Sequence, residues 1–307
     1  MPGIHHITAI AGDAARNVDF YTRVLGLRLV KKTVNYDDPG AYHLYFADES
    51  GQPGTVLTFF AWGHAAPGRA GVGQAQRIAF RVPAAAIGYW AHRLVEKSVT
   101  HGAIENRFGQ SVLPFNDPDG TSLSLVGVIG ANEEPFWPGD GVGAEHAIRG
   151  FHGVTLLVDD TARTAAVLTD VLSFARIGAE ASVTRYQTTA SEVGGIVDLH
   201  EAEGFLSGRM GRGSVHHVAF RAGTDDDQSQ MARKLEEQHG IKATEQKNRH
   251  YFRSIYFREP GGVLFEIATD GPGFAIDEPV AALGQALRLP PFLESRRNEI
   301  EAALSPL

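Results

Sequence analysis

Ile4-His5-His6-Ile7-Thr8, near the start of the chain, and Val215-His216-His217-Val218-Ala219, about two thirds of the way along it, are two versions of one strand. The likeness continues beyond the histidines. Leu44-Tyr45-Phe46 falls on Ile255-Tyr256-Phe257 at the same offset that brings His5-His6 onto His216-His217. After a longer turn in the first copy, Gly54-Thr55-Val56-Leu57-Thr58-Phe59 falls on Gly261-Gly262-Val263-Leu264-Phe265-Glu266. A register kept over that length marks an internal repeat, and the repeat decides the fold.

Working outward, each copy reads as a strand, a helix and three strands. In the first copy Asp13 is a helix N-cap, Val18, Tyr21, Val24 and Leu25 recur at helical spacing, and Gly26 stops the helix. Two further segments repeat the plan. One runs from Ile78-Ala79-Phe80 through a helix over about 84–95 to Ser122-Leu123-Ser124-Leu125, and the other from Gly153-Val154-Thr155, capped at Asp160, to Ile196-Val197-Asp198-Leu199. The last copy has its helix over about 226–238. The expected class is therefore α+β: four βαβββ modules in two domains, with curled mixed sheets and a metal site in the concave face. The Gly- and Pro-rich stretch Pro135-Phe136-Trp137-Pro138-Gly139 marks a boundary. It gives an N-terminal domain over 1–134, a linker over 135–150, a C-terminal domain over 151–270 and a tail over 271–307, read as a partial lid.

Composition excludes several classes. With 307 residues, 43% of them hydrophobic, the chain can bury a sizeable core. A formal charge of -8 leaves no basic footprint for nucleic acid. No apolar run approaches the roughly 18 residues of a membrane span, and a strand begins too early for a signal peptide, so a cytoplasmic, soluble protein is expected. There is no cysteine, so a metal would rest on imidazole, carboxylate or water.

Strand alternation assigns the histidines. Residues two apart share a face, so His6 with Thr8, and His217 with Ala219, are expected in the concavity, with His5 and His216 turned towards the helices. Glu266 lies in an otherwise apolar closing strand, where an ionised carboxylate needs a partner; a metal ion is one, and the alternatives are that Glu266 caps a strand end or pairs with Arg249 or Arg258. His6, His217 and Glu266 together form a two-histidine, one-carboxylate set with open positions opposite, which suits non-heme Fe(II) and O₂. Phe59, the repeat counterpart of Glu266, denies the site a fourth ligand. Tyr256 shares a face with Ser254 and Arg258 and is a candidate proton donor, with Arg249 beside it; a core tyrosine and a surface ion pair are the alternatives.

These motifs resemble the vicinal oxygen chelate superfamily of glyoxalases, bleomycin-resistance proteins and extradiol dioxygenases. The opening His5-His6-Ile7-Thr8, the strand Tyr42-His43-Leu44-Tyr45-Phe46, the strand from His216 to Phe220 and the run from Arg249 through Tyr256 to Glu266 are most similar to the hydroquinone 1,2-dioxygenase group, which includes the chlorohydroquinone dioxygenases. The resemblance covers nearly the whole chain. It implies Fe(II), with Mn(II) as the alternative, on His6, His217 and Glu266, and His5, Thr8, His216, Arg249 and Tyr256 around them. It implies a small aromatic diol and O₂ as partners and cleavage of the ring to an open acid; a homo-oligomer is compatible with it. The rival readings are a glyoxalase-like isomerase or thiol transferase and a non-catalytic aromatic-binding resistance protein.

Overall fold

The computed structural model describes residues 3–307. All four expected modules form. The first is β1 (Ile4–Ala11), α1 (Ala14–Asp19) continued by a π turn over Phe20–Val24, β2 (Arg28–Asn35), β3 (Asp38–Ala47) and β4 (Val56–Ala61). The second is β5 (Gln74–Pro83), α2 (Ile87–Glu96), β6 (Glu105–Arg107), β7 (Gln110–Asn116) and β8 (Ser122–Val128). The third is β9 (Phe151–Val158), α3 (Thr161–Asp170), β10 (Ala175–Glu180), β11 (Val183–Gln187) and β12 (Ile196–Glu201). The fourth is β13 (Val215–Ala222), α4 (Asp225–His239), β14 (Lys247–Asn248), β15 (Arg253–Arg258) and β16 (Leu264–Thr269). Asp13 and Asp160 cap α1 and α3 through their side chains, and Thr224 caps α4. Gly26 ends the first helical segment at φ +71°, a conformation that favours glycine.

The hydrogen-bonded sheets do not follow the halves of the sequence. One eight-stranded sheet runs β14-β15-β16-β13-β1-β4-β3-β2 and so joins the fourth module to the first; the other runs β10-β11-β12-β9-β5-β8-β7-β6 and joins the third to the second. Alone, each module would leave its opening strand as an unpaired edge, and the antiparallel seams β1–β13 and β5–β9 remove those edges. The division at 135–150 thus separates modules along the chain, whereas each sheet takes one module from either side of it. One apolar core, with Ile7, Phe46, Phe80, Trp90, Leu156 and Phe220 among its buried residues, extends through all four modules.

Each seam carries two register breaks, and they alter the expected facing of the histidine doublets. Opposite β13, Ile4 pairs with Phe220 and His6 with Ala219, leaving His5 as the extra residue; Thr8 pairs with His217 and Ala9 with Val215, leaving His216 extra. In the second sheet the extra residues are Gln76 and His152. A bulge puts two residues against one and breaks strict alternation. His5 and His216 therefore do not turn to the helices. Each folds back beside its neighbour on the concave side, with Nδ1 to Nδ1 distances of 2.9 Å for His5–His6 and 2.8 Å for His216–His217.

The tail packs along β2. Its short 3₁₀ turns precede α5 (Arg297–Ala303), and Lys31 of β2 donates to Asp277 at 2.6 Å and to Glu278. Among the described residues, none from 271 onward lines the cavity described next.

Candidate metal centre

His6, His217 and Glu266 meet. The β1–β13 seam sets Thr8 opposite His217, and the parallel β13–β16 register sets Ala219 opposite Glu266, so three strands converge on one point. His217 Nε2 lies 2.9 Å from Glu266 Oε2, His6 Nε2 lies 3.5 Å from the same oxygen, and the two Nε2 atoms are 3.3 Å apart. Two ligands about 2.1 Å from a common ion and at right angles would be about 3 Å apart, so this triangle has the spacing of adjacent coordination positions. The side chains are buried, Glu266 fully so. Glu266 Oε1 accepts from the Ser254 hydroxyl, but Oε2 has no hydrogen-bond partner of good geometry despite the nearby imidazole. Burial opposes the charge of Glu266, yet His6 and His217 outweigh it and hold the carboxyl well below its usual range. An ionised, orphaned oxygen between two Nε2 atoms fits a divalent cation; the residues could hold one.

The bulges supply the supporting contacts. A histidine that ligates through Nε2 carries its proton on Nδ1 and needs an acceptor there. His5 Nδ1 is placed to accept from His6, and His216 Nδ1 from His217. Both doublets thus contribute one inward Nε2 and one imidazole that fixes its orientation. His5 rests its ring on Phe252 and leaves its own Nε2 buried without a partner.

Above the triangle opens a cavity of about 300 Å³. Phe60, Trp62, Phe252 and Tyr36 supply aromatic walls, and Thr8, His216, Arg249 and Tyr256 line it as well. Arg249 Nε donates to the Tyr256 hydroxyl at 3.2 Å, and its Nη1 reaches Asp37 at 3.2 Å. Arg249 does not pair with Glu266, nor does Arg258, which donates to the Gly262 carbonyl. Burial pushes the Tyr256 phenol up and keeps it protonated.

The sequence reading gave no role to the wall residues Tyr36, Phe60, Trp62 and Phe252, nor to His43, Thr58 and Ser254. Thr8 Oγ1 lies 2.8 Å from Thr58 Oγ1, which is 2.8 Å from His43 Nε2, and the His43 Nδ1 meets the Tyr45 hydroxyl at 2.9 Å. The repeat held the signal, because His43 and Tyr45 superpose on Ser254 and Tyr256. It also corrects Phe59. Tyr45 pairs with Thr58 as Tyr256 pairs with Glu266, so Thr58 is the true counterpart of the carboxylate, one residue away from the expected position. Phe59 lies in the helix-side core against Tyr21 and Phe46. The conclusion survives, since a threonine supplies no carboxylate ligand. His250 is outside the cavity, beside Tyr251 and Asp277.

The sequence model of the Glyoxalase/Bleomycin resistance protein/Dioxygenase superfamily matches residues 3–125 and 150–267. The chain belongs to that superfamily. It is 45% identical over 304 residues to "Putative ring-cleaving dioxygenase MhqO" of Bacillus subtilis, covering 99% of this chain and 96% of the relative. It is 33% identical to the "Chlorohydroquinone/hydroquinone 1,2-dioxygenase" of Sphingobium indicum, covering 98% of this chain and 95% of that one. A crystal structure described as a putative dioxygenase from Bacillus subtilis superposes with a TM-score of 0.94 at 45% identity, covering 99% and 97% of the two chains. The curled sheets and four modules are thus those of a two-domain member of this vicinal oxygen chelate superfamily.

One property of this superfamily member follows from its bulge histidines. Burial pulls His5, His152 and His216 all down to about 3, so they remain neutral in the fold while they would charge in the unfolded chain below about pH 6.5. The unfolded state then binds more protons, and stability is full above about pH 6.5 and falls on acidification by up to about 1.4 kcal/mol per pH unit for each histidine. Urea unfolding at pH 7.5 and 5.5 measures the slope. His152→Gln should remove one histidine's share; an unchanged slope would contradict the assignment.

Proposed function

We propose that this protein is an Fe(II)-dependent extradiol-type dioxygenase that opens the ring of a hydroquinone with O₂, with His6, His217 and Glu266 as the iron ligands. The observation that carries the reading is the buried ligand triangle at the floor of an aromatic-walled cavity. The names of the relatives support ring cleavage, and the Sphingobium protein's name supports a para-diol. Held by His6, His217 and Glu266, an Fe(II) ion would supply a Lewis acid for the substrate hydroxyl and a redox couple for O₂.

The chain's own groups do the rest. Phe60, Trp62 and Phe252 hold a flat ring and exclude water. His5 and His216 keep His6 and His217 in the Nδ1-protonated form, with Nε2 free to ligate. Ser254 anchors one oxygen of Glu266 and aims the other. Arg249 donates to the Tyr256 oxygen, so the phenol proton is left to be given to an oxyanion that develops on the substrate. Thr58 in place of a second carboxylate disfavours the glyoxalase-like reading, which needs a fourth ligand.

Anaerobically purified protein should contain iron and consume O₂ one-to-one with a hydroquinone in a panel of hydroquinones and catechols. Iron-free protein that binds the diphenols without O₂ uptake would overturn the reading. Tyr256→Phe should retain the metal and lower kcat by about 10²–10⁴-fold, the usual range for removing a positioned acid. A loss confined to KM would assign Tyr256 to binding alone.

A further inference from the structure

The second sheet repeats the geometry of the first with different chemistry. Its β5–β9 seam has the same pair of bulges, so Gln76 and Arg77 stand where His5 and His6 stand, and His152 and Gly153 where His216 and His217 stand. Thr155 pairs with Asp198 as Ala219 pairs with Glu266, which makes Asp198 the counterpart of the buried carboxylate. Arg185 pairs with Asp198 in the register where Tyr256 pairs with Glu266. The concave face closes around a cavity of about 340 Å³, as large as the one above the metal centre.

This cavity cannot bind a metal in the same way. Gly153 has no side chain, and a Cβ there would lie 2.4 Å from the Ile196 carbonyl oxygen, so no ligand can be restored at the position of His217. Asp198 is consumed by a two-point ion pair with Arg185 at 2.8 Å for both contacts. Arg185 in turn lies 3.9 Å from the centre of the Phe108 ring. What remains unpaired is positive. Arg77 is half-buried in the cavity wall, its Nε makes only a 3.4 Å contact to the Ser122 hydroxyl, and among the described residues no carboxylate lies within ion-pair distance of it. His152, 5% exposed, lines the same space with its Nε2 lacking a protein partner. Burial lowers the Arg77 guanidinium from its ordinary value, Glu105 counters this only in part, and Arg107 adds to it. A guanidinium with unused donors in the wall of a cavity is a site for a carboxylate, which takes a planar two-point contact. Phe108, Val126 and Ile196 provide apolar surface for the body of such a ligand.

We propose that the concave face of the second sheet is a separate, metal-independent site for a small aromatic carboxylate, whose anionic group is held by Arg77. The site stands on its own residues and is independent of which reaction the metal centre performs.

Calorimetric titration of the full-length protein with benzoate, and with the neutral isostere benzamide, tests it. Benzoate should bind at least ten times more tightly than benzamide, and Arg77→Gln should weaken benzoate at least tenfold while leaving O₂ uptake at the metal centre unchanged. Crystals grown with 4-bromobenzoate locate the ligand without any substitution: the bromine's anomalous signal should lie in the second cavity. Equal benzoate affinity in Arg77→Gln, equal affinity for benzamide, or a bromine signal only at the His6–His217–Glu266 centre or nowhere would each overturn the proposal.

Discussion

Replacing Glu266 by glutamine is expected to weaken metal binding by well over 100-fold and to bring ring cleavage below about 1% of its original rate. The bound is set by comparison: loss of a hydrogen-bond partner behind a ligand already costs 10–100-fold in metal affinity or activity, and Glu266 is itself the anionic corner of the triangle. The amide keeps the size of the side chain and its contact with Ser254 but loses the charge that opposes a divalent cation. Ser254→Ala removes only the hydrogen bond to Oε1 and should produce the smaller, 10–100-fold effect. Metal content after gel filtration and O₂ uptake on the same samples read both. A Glu266→Gln protein that retains stoichiometric metal would remove this residue from the ligand set. Thr58→Ala, at the matching position of the first module, should leave the metal in place.

The second large effect concerns the fold. Lys31→Met is expected to destabilise the protein by about 3–5 kcal/mol, the range for removing one partner of a buried ion pair. Lys31 has no solvent exposure, and its ammonium sits between Asp277 and Glu278 and 4.9 Å from the centre of the Tyr251 ring. Glu278 keeps a contact with Arg288 at 3.3 Å, and Asp277 one with the Tyr251 hydroxyl, but two carboxylates would be left without their shared cation. Urea unfolding measures the loss, and limited proteolysis should cut first in the tail. Adding Asp277→Asn and Glu278→Gln should recover most of the stability, because the stranded charges disappear with the lysine. Unchanged stability in the single variant would show that the tail is held by its apolar contacts, Leu289, Leu293 and Ile300 on Val34.

The residues of the candidate metal site were legible in the sequence because the module was duplicated. Two copies of a histidine doublet and one carboxylate at matching strand positions name His6, His217 and Glu266, and alternation places their side chains on a common face. The same alternation misplaced His5 and His216. A bulge sets two residues against one, and nothing in His-His-Ile or His-His-Val marks which strand carries it; the register appears only when β1 and β13 are paired. The one-residue error at Phe59 has a similar origin, since turns of unequal length leave the alignment of the closing strands free to slip.

The local sequence thus determined the four modules, their helix caps and the chemistry of the ligands, because capping and hydrophobic period act over a few residues. Which modules share a sheet was decided by tertiary structure. A βαβββ unit exposes an unpaired opening strand, and any other unit could in principle cover it; the chain joins first to fourth and second to third, across the boundary its composition suggests. That choice brings His6 to within 3.3 Å of a histidine 211 positions away, and it leaves Arg77 and His152 facing a cavity of their own.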